Sequence, residues 1–413
     1  MRKILFYSLS VVSLTAFSQW TSTSILSSGE DCYSVFGKVL ASDATSSALA
    51  ASTDEGVTWP SSNIGVPASG LSFGATNGGT VYAYRNKSIY QSTTGNNWTA
   101  MTTTAIAATE VIKDIAVIST NSVFACTNPI SGNGIKIYQL SGSNWAYKAS
   151  VPTSTAPLSV CMENMNGELW IGTTSTVSIK STNGGTTWSK ANGTYSPSVW
   201  WDKYIFCMAS NTTSLLMGNY GGLLLRSTNS GASWNTVYNI SGTSSIGIND
   251  IYVISSNDII VGCDSGFIYS NNGGISFSKN NLGFTYSAGV LQDQIAKVTA
   301  STNYLFAATK NGKIYRRAKT GVFTDVKDIS SLNIESKVYP NPSNDFTTIE
   351  ASDLMFDKNC EVKIRDILGR DISVTEMKNG KANINLNNFA KGIYTYSVYN
   401  NNSVVSKGKL VVN

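Results

Sequence analysis

Acid–base chemistry in this chain would have to run on carboxylates, because none of its 413 residues is a histidine. That absence removes Ser-His-Asp triads, Cys-His dyads and His-ligated zinc together. Paired carboxylates remain able to cleave glycosidic bonds, given two acids about 5–10 Å apart, one with a raised pKa. Asp114 in KDIAVIST, Asp202 in WWDKY and Asp250 in NDIYVISS are the candidates, each expected just before an inner strand. Asp114 and Asp250 share one offset in a repeat, which favours a recurrent turn acid over catalysis. Aromatic residues offer the other chemistry. Trp200 and Trp201 stand beside Asp202, and Phe284 and Tyr286 lie in NLGFTYSAG. Such rings stack on sugar C–H faces or apolar peptide side chains, while Asp202 would accept hydroxyl hydrogen bonds. The competing role for one of each pair is to plug a gap between elements. No cofactor is expected; carboxylates and backbone carbonyls alone would suffice for a loop-bound Ca²⁺, so that question stays open.

The elements that carry these residues are repetitive. One octad recurs as STDEGVTW (Ser52, Asp54, Gly56, Trp59), STNGGTTW (Ser181, Asn183, Gly185, Trp188), STNSGASW (Ser227, Asn229, Gly231, Trp234) and SNNGGISF (Asn272, Gly274, Phe277). Shorter copies end at Trp98, Trp145 and Phe323. The closing aromatics are 39 to 47 residues apart, the size of a four-stranded propeller blade. Each octad reads as a tight turn: the Asp or Asn oxygen takes backbone N–H groups, and the glycine allows a positive φ. The aromatic should pack between neighbouring sheets. Cys161 and Cys207 occupy matching repeat positions, as Cys126 and Cys263 roughly do, which favours buried thiols over disulfides. Cys360 stands alone in the tail.

The octad resembles the Asp-box (BNR) repeat, and the blade spacing resembles propellers of the photosystem-assembly-factor type. The resemblance implies a seven-bladed β-propeller over residues 19–328, with VFTDVK as the fourth strand of the seventh blade. Trp20 could instead begin a strand that fastens the ring, and the closing strand stays open. Asp-box propellers include sialidases, but the Arg-Ile-Pro motif of that group is missing here and the propeller's arginines are only Arg85, Arg226, Arg316 and Arg317.

Both ends carry export signals. Residues 1–18 combine Arg2 and Lys3, an apolar stretch and Ala16-Phe17-Ser18, which reads as a signal peptide cut before Gln19. Residues 329–336 read as a linker. Residues 337–413 carry Tyr339-Pro340-Asn341-Pro342, then Gly369 in VKIRDILGR, Gly392 and Tyr394 in GIYTYSV, and a terminal KLVV. These resemble the type A sorting domain of Bacteroidota type IX secretion, here an immunoglobulin-like β-sandwich. The resemblance implies passage through the outer membrane by the type IX machinery, processing by its sortase, and release or surface attachment. No later segment of the mature chain is long and apolar enough to span a bilayer. The body carries 18 basic against 17 acidic residues, so a nucleic-acid partner is not expected. The expected protein is all-β: a seven-bladed propeller followed by a small sandwich. Its expected function is recognition of a surface glycan or protein without chemistry. The alternatives are a glycoside hydrolase pairing Asp202 with another channel-mouth acid, and a structural or assembly component of the cell surface.

Overall fold

The computed structural model describes residues 19–23, 29–43, 49–61, 65–66, 71–119, 121–152, 158–240, 246–287, 290–320, 322, 336–351, 360–367, 369–400 and 403–413. The proposed signal peptide, Phe323 and linker positions 329–335 lie outside them. The chain forms two compact units, Met1–Thr324 and Asp325–Asn413.

Alternating apolar residues in short runs between Gly- and Asn-rich turns produce antiparallel sheets in the first unit. Among the described residues there are seven sheets of three or four strands, plus the small hairpin Tyr286–Ser287 and Val290–Leu291. Their first strands are Gly29–Val35, Ser72–Asn77, Glu110–Ser119, Ser159–Met165, Ile205–Ser210, Ile248–Val253 and Ile295–Ala300. Each packs beside the next, and the seventh returns to the first, so the ring is closed. This is a β-propeller, and the first strands face its axis.

The outermost strand of the seventh sheet comes from the other end of the chain. Thr21–Ser22 pairs with Ile314–Ala318, while of VFTDVK only Val322 is described, buried and bonded back to Lys319. Trp20 is the reason the terminus docks. Its ring is buried against Phe267 and Phe284, and its indole donates to the Asn280 carbonyl at 3.2 Å. Truncating a tryptophan so placed costs about 3–5 kcal/mol.

The octad turns repeat one hydrogen-bond pattern. The hydroxyls of Ser52, Ser181, Ser227 and Ser270 accept the N–H of Gly56, Gly185, Gly231 and Gly274 at 2.7–3.0 Å. Oδ1 of Asp54, Asn183, Asn229 and Asn272 accepts the N–H four residues on, at 2.8–3.1 Å. The Asn copies also donate Nδ2 to the hydroxyls of Thr187, Ser233 and Ser276, whereas Asp54 accepts from Thr58. Exchanging the residue thus reverses one bond without losing it. Gly231 shows why the glycine is needed: its φ is +82°, and a Cβ there would lie 2.4 Å from the Trp170 ring. Trp98, Trp145 and Trp234 are buried, and Trp145 and Trp234 meet Tyr82 and Trp170 of the preceding sheets. All six cysteines are buried, and none forms a disulfide among the described residues. Burial pushes Cys126 to about 12 and Cys263 to about 11, so they pack as small apolar residues.

The second unit is a two-sheet sandwich. One sheet orders Lys337–Tyr339, Phe346–Glu350 and Lys381–Asn385; the other orders Asp371–Glu376, Cys360–Arg365, Gly392–Asn400 and Ser403–Val412. Alternation in Cys360–Arg365 sends Cys360, Val362 and Ile364 into a core with Ile349, Ile384 and Tyr396. Gly369 takes φ +81° in the turn after Cys360–Arg365, and its N–H reaches the Asp366 carbonyl. Gly392 opens the strand Gly392–Asn400, in which buried Tyr394 donates to the Ala390 carbonyl at 2.8 Å.

Candidate functional site

Between the fourth and fifth sheets the chain runs over one face of the ring. Pro197 breaks regular pairing, and a short 3₁₀ turn, Trp201–Lys203, delivers the chain into the inner strand at Ile205. The Tyr220 N–H bonds the Tyr204 carbonyl at 2.9 Å and ties this turn to the second strand of its sheet. Trp200 stays 57% exposed, yet its ring stacks on Tyr220 at 5.6 Å and meets Trp201 edge-on at 5.8 Å. Tyr220 in turn touches Phe206 and Tyr204. Five aromatic residues therefore form a continuous shelf from solvent to the mouth of the axial cavity, whose wall includes Phe206.

Asp202 is held beside this shelf by a residue that the sequence reading passed over. Asn219 is fully buried, accepts the Leu223 N–H at 2.7 Å, and lies 3.2–3.3 Å from Asp202 O and Oδ1. Gly221 lies close below: a Cβ there would sit 2.1 Å from Asp202 Oδ1. Partial burial raises the Asp202 pKa, and the Asn219 hydrogen bond opposes that shift. Asp202 is not among the residues that line the axial cavity.

Phe284 requires a correction. It is only 7% exposed, stacked on Trp20 at 5.1 Å and edge-on to Tyr315 at 4.9 Å. The docking of Trp20 turns it into a core residue, so it is not a ligand contact. The side chain of Tyr286 lies outside the described residues.

The cavity along the axis measures about 430 Å³ and is lined from all seven inner strands, with Asp31, Asp114, Glu163, Asp250 and Lys297 on its wall. Asp114 and Asp250 do not precede their strands as turn acids; they lie within them, just after a β-bulge. The same bulge precedes Asp31, Cys161, Cys207 and Lys297. It aims the next side chain at the neighbouring inner strand. Asp31, Asp114 and Asp250 each accept one backbone N–H there, from Phe73, Met162 and Val298, all at 2.9 Å. The Cys207 thiol reaches the Ile248 carbonyl at 3.5 Å in the equivalent place. These acids staple sheet to sheet.

Their electrostatics follow from confinement. Burial pushes Asp31 up to about 7, Asp114 to about 6 and Glu163 to about 8. The Lys297 ammonium lies 3.3 Å from Asp250 Oδ1, and that carboxylate holds its pKa well above the usual lysine value. Asp31, Lys297 and Glu163 are not among the sequence-based candidates; the repeat offset shared by Asp114 and Asp250 is the signal that leads to Asp31 and Lys297, and Glu163 has none of its own. Among the described residues no three thiols or carboxylates converge to hold a metal ion.

Comparison with known proteins agrees with this architecture. Residues 337–413 match the family of secretion system C-terminal sorting domains. An ulvan lyase from Nonlabens ulvanivorans is 33% identical over 151 residues, 35% of this chain. The chain spans only 24% of that relative's length. PorZ, a surface component of the type IX secretion system of Porphyromonas gingivalis, superposes with a TM-score of 0.51 at 17% identity, covering 94% of this chain and 59% of PorZ. YCF48 bound to D1 peptide superposes with a TM-score of 0.54 at 16% identity, covering 73% of this chain and 95% of that one. No helix among the described residues is long and apolar enough to cross a membrane. The C-terminal unit is a type IX sorting domain, and the chain is a secreted or surface-attached cargo of that system.

Proposed function

We propose that this cargo is a seven-bladed Asp-box propeller that recognises a glycan or an apolar peptide segment on Trp200, Trp201 and Asp202, without transforming it. The observation that carries the reading is the state of Trp200: a large ring left 57% exposed, yet fixed against Tyr220. A rigid, solvent-facing aromatic has already lost its conformational freedom, so little ordering cost remains on binding. Asp202, anchored by Asn219, adds a hydrogen-bond acceptor at the shelf's edge. The peptide carried by YCF48 supports a ligand role for a fold of this kind. In export, the type IX machinery and its sortase are the partners. Replacing Trp200 and Trp201 by alanine is expected to weaken a ligand found by polysaccharide and peptide array roughly 5- to 30-fold, as titration calorimetry would read. Unchanged affinity would move the site elsewhere.

One observation favours a second reading. Asp31, Asp114 and Glu163 hold their protons in the pH range where a carboxyl can act as general acid, and the likeness to an ulvan lyase adds a polymer-cleaving relative. Against it, Asp31 and Asp114 each commit an oxygen to a neighbouring backbone N–H, the behaviour of a structural staple.

A further inference from the structure

The terminal strand Ser403–Val412 lies at the edge of its sheet, with Gly392–Asn400 on one side. On its other side runs Pro340-Asn341-Pro342-Ser343. Ser343 pairs with Val412 as a parallel strand would: its N–H donates to the Val411 carbonyl at 3.0 Å, and its carbonyl accepts the Asn413 N–H at 3.0 Å. Two residues earlier the next rung of that ladder would fall to the Asn341 backbone, which makes no hydrogen bond to the terminal strand among the described residues. The Asn341 side chain supplies the missing rung. Its Nδ2 donates to the Lys409 carbonyl at 2.9 Å, and its Oδ1 accepts the Val411 N–H at 2.8 Å. Those are the two bonds a backbone unit opposite Leu410 would make, so the carboxamide stands in for a peptide group. The flanking prolines also keep further strands from adding outside it. Thr347 fixes the segment by donating its hydroxyl to the Pro340 carbonyl at 2.8 Å.

We infer that Asn341 is a positioning residue of the sorting signal: it holds the last strand in register at the sheet edge, and that strand in that register is what export requires. The inference rests on the sorting role of residues 337–413. The test uses the full chain with Asn341→Ala, which loses both bonds, and Asn341→Asp, which keeps only the acceptor. Hydrogen exchange at the Val411 amide should speed up about tenfold or more in Asn341→Ala and less in Asn341→Asp. The Val362 amide, in Cys360–Arg365, should be unchanged. Surface display in the native host should fall in the same order. Should Asn341→Ala unfold the tail, the Asp variant carries the comparison. Lost display with unchanged Val411 exchange would overturn the inference, since the machinery would then read Asn341 itself. Faster exchange with normal display would overturn it equally. Failure of the sorting reading is separate: it would appear as normal display after deletion of residues 337–413.

Discussion

Removing residues 337–413 is expected to abolish surface display and leave a folded propeller in the periplasm. The two halves of that expectation have separate grounds. Loss of display follows from the sorting-domain match over those residues. Persistence of the propeller follows from its packing: among the described residues its core clusters are built from its own sheets, and Thr21–Ser22 and Trp20 complete the seventh sheet. The tail in turn has its own core around Val362, Ile364 and Tyr396. Fractionation with an antibody against the propeller, together with protease resistance of the periplasmic material, checks both halves. Display of the truncated chain would refute the sorting role, and a protease-sensitive product would refute the independence of the ring.

The second large effect is on stability against pH. Asp31, Asp114 and Glu163 bind their protons more tightly folded than unfolded, with folded pKa values of about 7, 6 and 8. The folded state therefore holds more protons between about pH 4 and 8, and stability must fall as pH rises through that window. Asp54, pulled down to about 2 by its turn hydrogen bonds, acts oppositely, but its contribution is complete above the ordinary carboxylate range and flat here. Lys297, raised by Asp250, loses its contribution only in strong alkali. Glu163→Gln removes the most perturbed carboxyl. The variant should be roughly 2–4 kcal/mol more stable than the parent near pH 8.5 and similar to it near pH 4.5. Urea unfolding at the two pH values measures this. A Glu163→Gln variant that loses stability at high pH would mean the cavity is wetter, and Glu163 better solvated, than its burial indicates.

How much of this could be read beforehand depended on where each residue's partners lie. The octad turns were legible because their bonds close within four residues, so Ser227, Asn229 and Gly231 state their geometry locally. The ring was legible because the aromatics recur at blade spacing. The site was legible only in part. Trp200 and Phe284 looked alike, both aromatics in connections between sheets. What separates them is Trp20, whose indole bonds a carbonyl 260 residues away. Asp31 and Lys297 reached the cavity through β-bulges that no residue type announces. Asn219 resembled any turn asparagine, and only the approach of Asp202 over Gly221 gives its amide a task. The tail's Asn341 was recognised as part of a motif, but its function as a surrogate peptide group needed the strand beside it.

The central claim, recognition without chemistry, is tested most directly by the fate of a bound polysaccharide. Incubating the propeller with its best array ligand and following chain length and new end groups over many hours should return the polymer intact, bound but uncut. New reducing or unsaturated ends, lost on Asp114→Asn or Glu163→Gln, would contradict it and make the axial cavity an active site.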